Sequence, residues 1–366
     1  MYHIERAIFD IRRGLPVLVK AGEQQLLVQA LEGGESVNEL TRLSGSRPSL
    51  VLTRHRLQAM GVSITAEAAY LPLAAQMDER ALHTLAVAHA LPGDAPALLS
   101  GLQPAGTAER GALALMRRAL LIPAALIAVV SDKAAEGIAQ RLAKGELLAV
   151  DANDAASCLT GAPGMLKRVS EARIPLEDAA ESRFVLFREP DGLREHVAVV
   201  IGRPEAHTEA VPLRMHSACL TGDLFGSLRC DCGEQLRNAV ADIEAMGGGV
   251  LLYLAQEGRG IGLANKLRAY TLQDDGLDTV DADQVLGFGD DERDYAVAVD
   301  MLHALGISRV QLLTNNPLKM QALNEGGIEV VARQALYGRL TDQNHRYLNA
   351  KATRSGHFLE EVLSSK

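Results

Sequence analysis

Apolar residues recur every three to four positions from Ile4 to Arg13 and stop at Gly14, which predicts a short amphipathic helix; Pro16 to Val19 then reads as a strand. Ser36 stands three residues before Glu39, the spacing of a capping box, ahead of another short helix. Ser131 is placed to cap a helix running to Leu142, with Gly145 after it and the apolar strand Leu147 to Val150 next. In the second half, Phe184 to Phe187 and His196 to Ile201 read as strands, and Glu234 to Met246 as an amphipathic helix stopped by Gly247, Gly248 and Gly249. Val250 to Leu254 is a buried strand, Asn265 to Leu272 a helix, Asp291 to Leu305 a helix closed by Gly306, and Val310 to Leu313 a strand. This alternation predicts an α/β fold of mixed α+β character.

At 366 residues the chain exceeds the usual range of a single core, so two domains are expected. Composition shifts between residues 165 and 185, from Ala- and Leu-rich sequence to glycine motifs and cysteines, and the boundary is placed between domains 1–182 and 183–366. No N-terminal segment has the makeup of a signal peptide, and the longest apolar run, Ala119 to Val130, is broken by Pro123 and too short for a bilayer. The expectation is a soluble cytoplasmic protein with no membrane partner. A net charge of -9 and 4% aromatic residues argue against a nucleic-acid partner, which needs phosphate-neutralising cations and stacking platforms. A phosphorylated small molecule stays compatible, because a few cations and oriented amides can reverse the field inside one cleft.

Three of the four cysteines, Cys219, Cys230 and Cys232, fall within one short stretch. In a reducing compartment such a cluster points to metal rather than a disulfide framework. Three thiolates fix Zn²⁺ and leave one tetrahedral position open, the mark of a catalytic rather than a structural zinc. Two other readings stay open at this level: a closed site with His216 or Cys158 as fourth ligand, and ordinary buried thiols.

Further polar motifs follow the strands. Glu257-Gly258-Arg259-Gly260-Ile261-Gly262 allows a ligand to approach the backbone, and its amides with Arg259 can cradle phosphate oxygens, although a turn that needs glycine explains it equally well. Lys319 follows Asn-Asn-Pro, with Pro317 at a helix start, and can reach a phosphate as a point charge, as can Arg214. Asp290, Asp291, Arg293 and Asp294 open the expected helix after Gly287-Phe-Gly289, where acidic residues serve as caps.

Taken together, HSACLTGDLFGSLRCDCGEQL from His216, EGRGIGL from Glu257, NKLRAYTLQDDGLDTV from Asn265, DERDY from Asp291 and LLTNNPLK from Leu312 resemble GTP cyclohydrolase II over residues 183 to 335. The resemblance implies a mixed sheet with flanking helices in the second domain. It also implies zinc on Cys219, Cys230 and Cys232 and attack of an activated water on the guanine imidazole ring, releasing formate. Arg214, His216, Ser217, Gln235, Glu257, Gly258, Arg259, Thr279, Thr314 and Lys319 would contact GTP, with Tyr270 close to the water. Asp291 would act as proton acceptor and Arg293 as nucleophile in the loss of pyrophosphate. A guanidinium holds its proton so firmly that electrostatic stabilisation suits Arg293 equally well. Mg²⁺ would arrive with the triphosphate, and a homodimer is implied by the family alone. The family commonly has Glu where this chain has Ala218, which motivates an alternative as a paralogue acting on another nucleotide or a pyrimidine.

The first half has a fainter resemblance to dihydroxybutanone phosphate synthase, carried by Ala7-Ile-Phe-Asp-Ile-Arg-Arg-Gly14 and Pro16-Val-Leu-Val19. Lys20 to Leu27 stands where that family has a dense acidic cluster, so no Mg²⁺ site is expected there and this half is expected to be silent in that reaction. His207-Thr-Glu-Ala210 resembles a motif of the same family but lies beyond its region. The degenerate half motivates a last alternative, a non-catalytic GTP-binding scaffold with structural zinc.

Overall fold

The structure, a computed structural model, describes residues 2–33, 37–74, 77–89, 99–159, 164–359 and 363; the expected cap Ser36 lies outside them. In chain order the first part contains α1 (Tyr2–Arg12), β1 (Val17–Ala21), β2 (Gln24–Ala30), α2 (Val37–Ser44), β3 (Ser49–Thr53), α3 (Arg54–Ala59), β4 (Ala68–Pro72) and α4 (Glu79–Val87). It continues with β5 (Gln103–Pro104), α5 (Thr107–Arg118), β6 (Ala124–Val129), α6 (Asp132–Ala143), β7 (Leu148–Asp151) and α7 (Ala152–Ser157). Then follow β8 (Lys167–Arg173), β9 (Ser182–Arg188), β10 (Glu195–Gly202), β11 (Val211–Ser217), α8 (Leu220–Asp223), α9 (Cys232–Ala245) and β12 (Gly248–Leu254). The chain ends with α10 (Leu263–Asp274), α11 (Thr279–Val285), α12 (Ala296–Ala304), β13 (Arg309–Leu313), α13 (Pro317–Glu325), β14 (Glu329–Gln334) and α14 (His345–Ser355).

Two compact units result. The first comprises Met1–Thr160 and Ala264–Asp291, the second Gly161–Leu263 and Glu292–Lys366. This division departs from the expected one: residue 182 opens β9 inside the second unit, and 264–291 joins the first. Side-chain chemistry accounts for the transfer. Arg56 on α3 is 2% exposed and donates to the carbonyl of Val285 at 2.9 Å as well as to Leu85, Thr84 and Ala88; Thr53 donates to Gly287 O at 2.7 Å. Asn265 donates to Leu120 O, and Arg268 pairs with Glu32 at 2.5 Å.

The first unit's sheet runs β5-β4-β3-β6-β2-β1-β7. All its pairs are antiparallel except β1 with β7, and Leu18, Leu27, Leu50, Leu52 and Leu126 pack against Leu57, Leu82 and Leu85. Lys20 to Leu27, the run read as lacking carboxylates, forms the β1–β2 hairpin.

The second unit's sheet runs β14-β13-β11-β12-β10-β9-β8. Its β14, β13, β11 and β12 are parallel, while β12, β10, β9 and β8 are antiparallel. Strand alternation sorts the two faces: Leu213, Met215, Val250, Leu252 and Leu254 join Met301, Leu302 and Leu323 of α12 and α13 in one core, and Leu251 joins Ala239 and Ile243 of α9 in the other. Each such buried Leu or Ile contributes about 1.5–3 kcal/mol. Arg214 and His216, one position out of phase with Leu213 and Met215, therefore belong to the α9 face.

The helix expected from Asp291 to Leu305 starts only at Ala296. Glu292 N–H donates to Arg259 O at 3.0 Å and Gln256 donates to Asp294 O, so the loop after β12 takes up backbone groups of Glu292 and Asp294. Asp294 Oδ1 instead accepts from Ala296 N–H, satisfying the first amide of the shortened helix from the position before its N-cap Tyr295.

Candidate metal centre and substrate site

The parallel strands β11, β12 and β13 run side by side, with Ser217 level with Leu254, so the segments leaving them share one edge of the sheet. Ligands of open parallel sheets bind at such carboxyl ends. Cys219 follows β11, Gln256 and Glu257 follow β12, and Thr314, Asn315 and Asn316 follow β13.

After Cys219 the chain makes the single turn α8 and returns to present Cys230 and Cys232, the latter opening α9. The three ligand atoms lie within 4.8 Å of one another, and among the described residues no other group of His, Cys, Asp or Glu is so arranged. Cys219 and Cys230 sulfurs are 3.7 Å apart. A disulfide needs about 2.05 Å, whereas two thiolates on a tetrahedral metal at about 2.3 Å are separated by about 3.8 Å. Gly222 makes the convergence possible, since a Cβ there would stand 2.8 Å from Cys230 Sγ and 3.0 Å from Cys219 Sγ. Hydrogen bonding to Cys219 pushes the Cys230 thiol up to about 11, and the same neighbour, with Cys230 and burial, pushes Cys232 up as well. Without a cation Cys230 and Cys232 keep their protons; a metal of tetrahedral preference fits the residues present.

Asp223 ties this loop to the strands. Its carboxylate accepts from Cys219 N–H at 2.9 Å, from Tyr253 O–H at 2.9 Å and from His216 Nε2 at 3.0 Å, and the His216 and Tyr253 rings stack at 5.6 Å. Burial, then the charge on Asp223, holds the Tyr253 phenol above its ordinary value, so it stays a donor. His216 is lowered, by burial first, and is neutral at physiological pH. With its Nε2 proton given to a carboxylate, Nδ1 is the acceptor nitrogen of the ring. His216 is thus held in place by Asp223 and is no part of the thiol cluster.

Arg214 is 6% exposed. It donates to Leu313 O at 2.9 Å and to Gln235 Oε1 at 2.7 Å, and Gln235 donates on to Asp231 at 2.5 Å. Burial lowers the guanidinium to about 10. Burial opposes ionisation of Asp231, yet Lys351 at 3.4 Å and hydrogen bonds hold that carboxyl below its usual range. Glu257 accepts from Leu220 N–H at 2.6 Å and from Gly258 N–H at 3.1 Å. Gly258 and Arg259 are both left-handed, with φ of 61° and 57°, a conformation that disfavours arginine by about 1 kcal/mol or more. Lys319 is 6% exposed, donates to Met215 O at 2.6 Å and stands 5.9 Å from the Tyr295 ring; Arg293 approaches the same ring at 5.4 Å.

Several buried polar atoms here have no hydrogen-bond partner: Arg214 Nε, His216 Nδ1, Ser217 Oγ, Gln256 Oε1 and Asn316 Nδ2. Buried groups of this kind each carry a desolvation penalty, and such a set at the carboxyl ends of three strands has the character of a polar-ligand site. The second unit thus brings together the cysteines with Arg214, His216, Ser217, Gln235, Glu257, Gly258, Arg259, Arg293, Thr314 and Lys319. Tyr270, Thr279 and Asp291 belong to the first unit. Tyr270 lies on α10 with Lys266 Nζ 5.6 Å from its ring, and Thr279 opens α11 behind its cap Asp278. Sequence reasoning missed Asp223, Tyr253, Gln256, Asn316 and the Asp231–Lys351 pair. Only Asp223 had a local signal, four residues past Cys219 across one helical turn.

The model of the family described as GTP cyclohydrolase II matches residues 167–335. A GTP cyclohydrolase-2 of Azospirillum brasilense is 44% identical over 98% of this chain and 94% of its own length. One from Xylella fastidiosa strain Temecula1 is 42% identical over 97% and 87%. A crystal structure of RibBX, a two domain 3,4-dihydroxy-2-butanone 4-phosphate synthase from A. baumannii, covers 92% of this chain and 99% of its own at 17% identity and a TM-score of 0.33. No helix among the described residues is long and apolar enough to cross a membrane.

Proposed function

The chain belongs to the GTP cyclohydrolase II family, and on that premise we propose that it hydrolyses GTP to 2,5-diamino-6-(5-phosphoribosylamino)pyrimidin-4(3H)-one, formate and pyrophosphate, the first step of riboflavin synthesis. The observation that carries the reading is the convergence of three thiols within 4.8 Å at the carboxyl ends of the parallel strands, beside unpartnered polar atoms. Cys219, Cys230 and Cys232 would hold one Zn²⁺. When bound, the ion supplies Lewis acidity able to bring the pKa of water to about 7.

The chain's own residues do the rest. Asp223 orients His216 and fixes the Cys219 backbone, an outer layer of the kind that governs metal affinity. The acceptor nitrogen of His216 and the Glu257 carboxylate suit the N–H donors of a guanine edge. Arg259, Arg293 and Lys319 supply charge for a triphosphate, and Arg293 is suited to stabilising charge at the phosphorus rather than attacking it. Tyr270 near the water, Thr279 on GTP and Asp291 as proton acceptor rest on the family motifs, as do Mg²⁺ with the triphosphate, a homodimer and a cytoplasmic location. Ala218 continues the β11–β12 ladder through its N–H to Leu254 O at 2.8 Å, so its backbone role does not need the glutamate common in the family. The N-terminal part is assigned no catalysis of its own.

Mass spectrometry of a GTP and Mg²⁺ incubation tests the reading. Joint appearance of formate, pyrophosphate and the ring-opened product supports it, and tight GTP binding without formate would sink it in favour of a scaffold.

A further inference from the structure

Residues 336–359 lie beyond the span of the family match, yet they pack on the site. α14 brings Lys351 to Asp231 at 3.4 Å, and Gly356, left-handed at φ 62°, ends the helix. His357 N–H then returns to Lys351 O at 3.1 Å, while Phe358 N–H donates to Asn315 O at 2.9 Å and its ring lies 4.7 Å from the Arg333 guanidinium. The tail is thereby pinned by its backbone to the loop that carries Thr314 and Asn316. His357 sits between the two anchors, and its Nδ1 is buried with no hydrogen-bond partner.

The charges of Lys351 on α14, Arg293 ahead of α12, Arg259 after β12 and Lys319 on α13 act on that ring. Burial first, then these charges, lowers the imidazole to about 3, so it is neutral at physiological pH. Four positive charges within electrostatic reach of one site suit a polyanion, and a neutral imidazole adds a donor without adding to the repulsion in the free protein. Anchoring is done by the main chain, which leaves Nδ1 unused.

Resting on the reading of GTP as substrate, we infer that His357 is a further substrate-binding residue whose ring N–H donates to an oxygen of the triphosphate. The test uses the full zinc-loaded chain, titrated calorimetrically with inorganic tripolyphosphate, alongside KM for GTP. Wild type is compared with His357→Ala and His357→Asn, whose amide supplies an N–H in place of the ring's. The alanine variant is expected to bind tripolyphosphate about tenfold more weakly and to raise KM by a similar factor with zinc content unchanged, and the asparagine variant to recover most of the loss. Equal tripolyphosphate affinity in wild type and His357→Ala overturns the inference. Equal loss in both variants also overturns it, by pointing to the tail's docking rather than the donor. A wild type that binds tripolyphosphate through His357 but leaves GTP intact upholds the site and overturns the parent reading instead.

Discussion

Replacing Gly222 by alanine separates a metal centre from a chance cluster of thiols without touching a ligand or a charge. A Cβ at this position would stand 2.8 Å from Cys230 Sγ and 3.0 Å from Cys219 Sγ, whereas ordinary contact begins at 3.4 Å. The sulfurs must therefore retreat by about 0.6 and 0.4 Å, well outside the tolerance of about 0.2 Å on a metal–ligand distance. Gly222 lies within α8, a backbone that alanine adopts readily, and the exchange favours the helix by up to about 1 kcal/mol. Metal affinity is thus hit harder than the stability of the metal-free chain. The expected result is a loss of about 100-fold or more in zinc affinity, read by mass-spectrometric metal analysis after dialysis against a weak chelator, with formate release falling in step. In the metal-free variant the thiols can rotate away and only the 3.1 Å approach to Cys232 Cβ remains, so its melting temperature should fall by far less than the metal-bound form's. A Gly222→Ala protein that retains one zinc per chain and releases formate at the parent rate would refute the assignment of these sulfurs.

Asp223→Asn removes a carboxylate that accepts from Cys219, His216 and Tyr253, and is expected to lower formate release by about 10- to 100-fold, measured at saturating zinc. Arg56→Met leaves the carbonyls of Leu85, Ala88 and Val285 without the Arg56 donor and is expected to destabilise the protein by about 3 kcal/mol or more in denaturant unfolding. His357 has a folded value of about 3 against an unfolded value of 6.5, so between those pH values the undocked tail binds a proton that the docked tail does not. Docking is unaffected above pH 6.5 and weakens as pH falls, by about 2 kcal/mol at pH 5, visible as faster hydrogen exchange in residues 345–359 and flattened in His357→Asn.

How much the sequence disclosed depends on where each group finds its partner. The cysteine spacing, the strand–loop placement of Glu257 and Thr314, and the start of α13 at Pro317 are local features, and local physics was enough to read them. The same reasoning put a helix at Asp291 because acidic residues suit helix starts; there the Glu292 amide is taken by Arg259, 33 positions earlier in the chain, and local propensity loses to that contact. The domain division departed for a related reason, since Arg56 addresses the carbonyl of Val285 from 229 positions away. His357 is the extreme case: its backbone returns to Lys351, the next residue binds Asn315, the charges of Arg259, Arg293 and Lys319 act on its ring from three further segments, and no spacing in the sequence announces it. Because a backbone group must be satisfied somewhere, the residues that satisfy remote backbone are the ones that set a site's geometry, and they are the ones a motif omits. Comparison of variants at Asp223, Gln256 and His357 against those at the motif cysteines is therefore the way to separate residues that define the reaction from residues that hold its geometry.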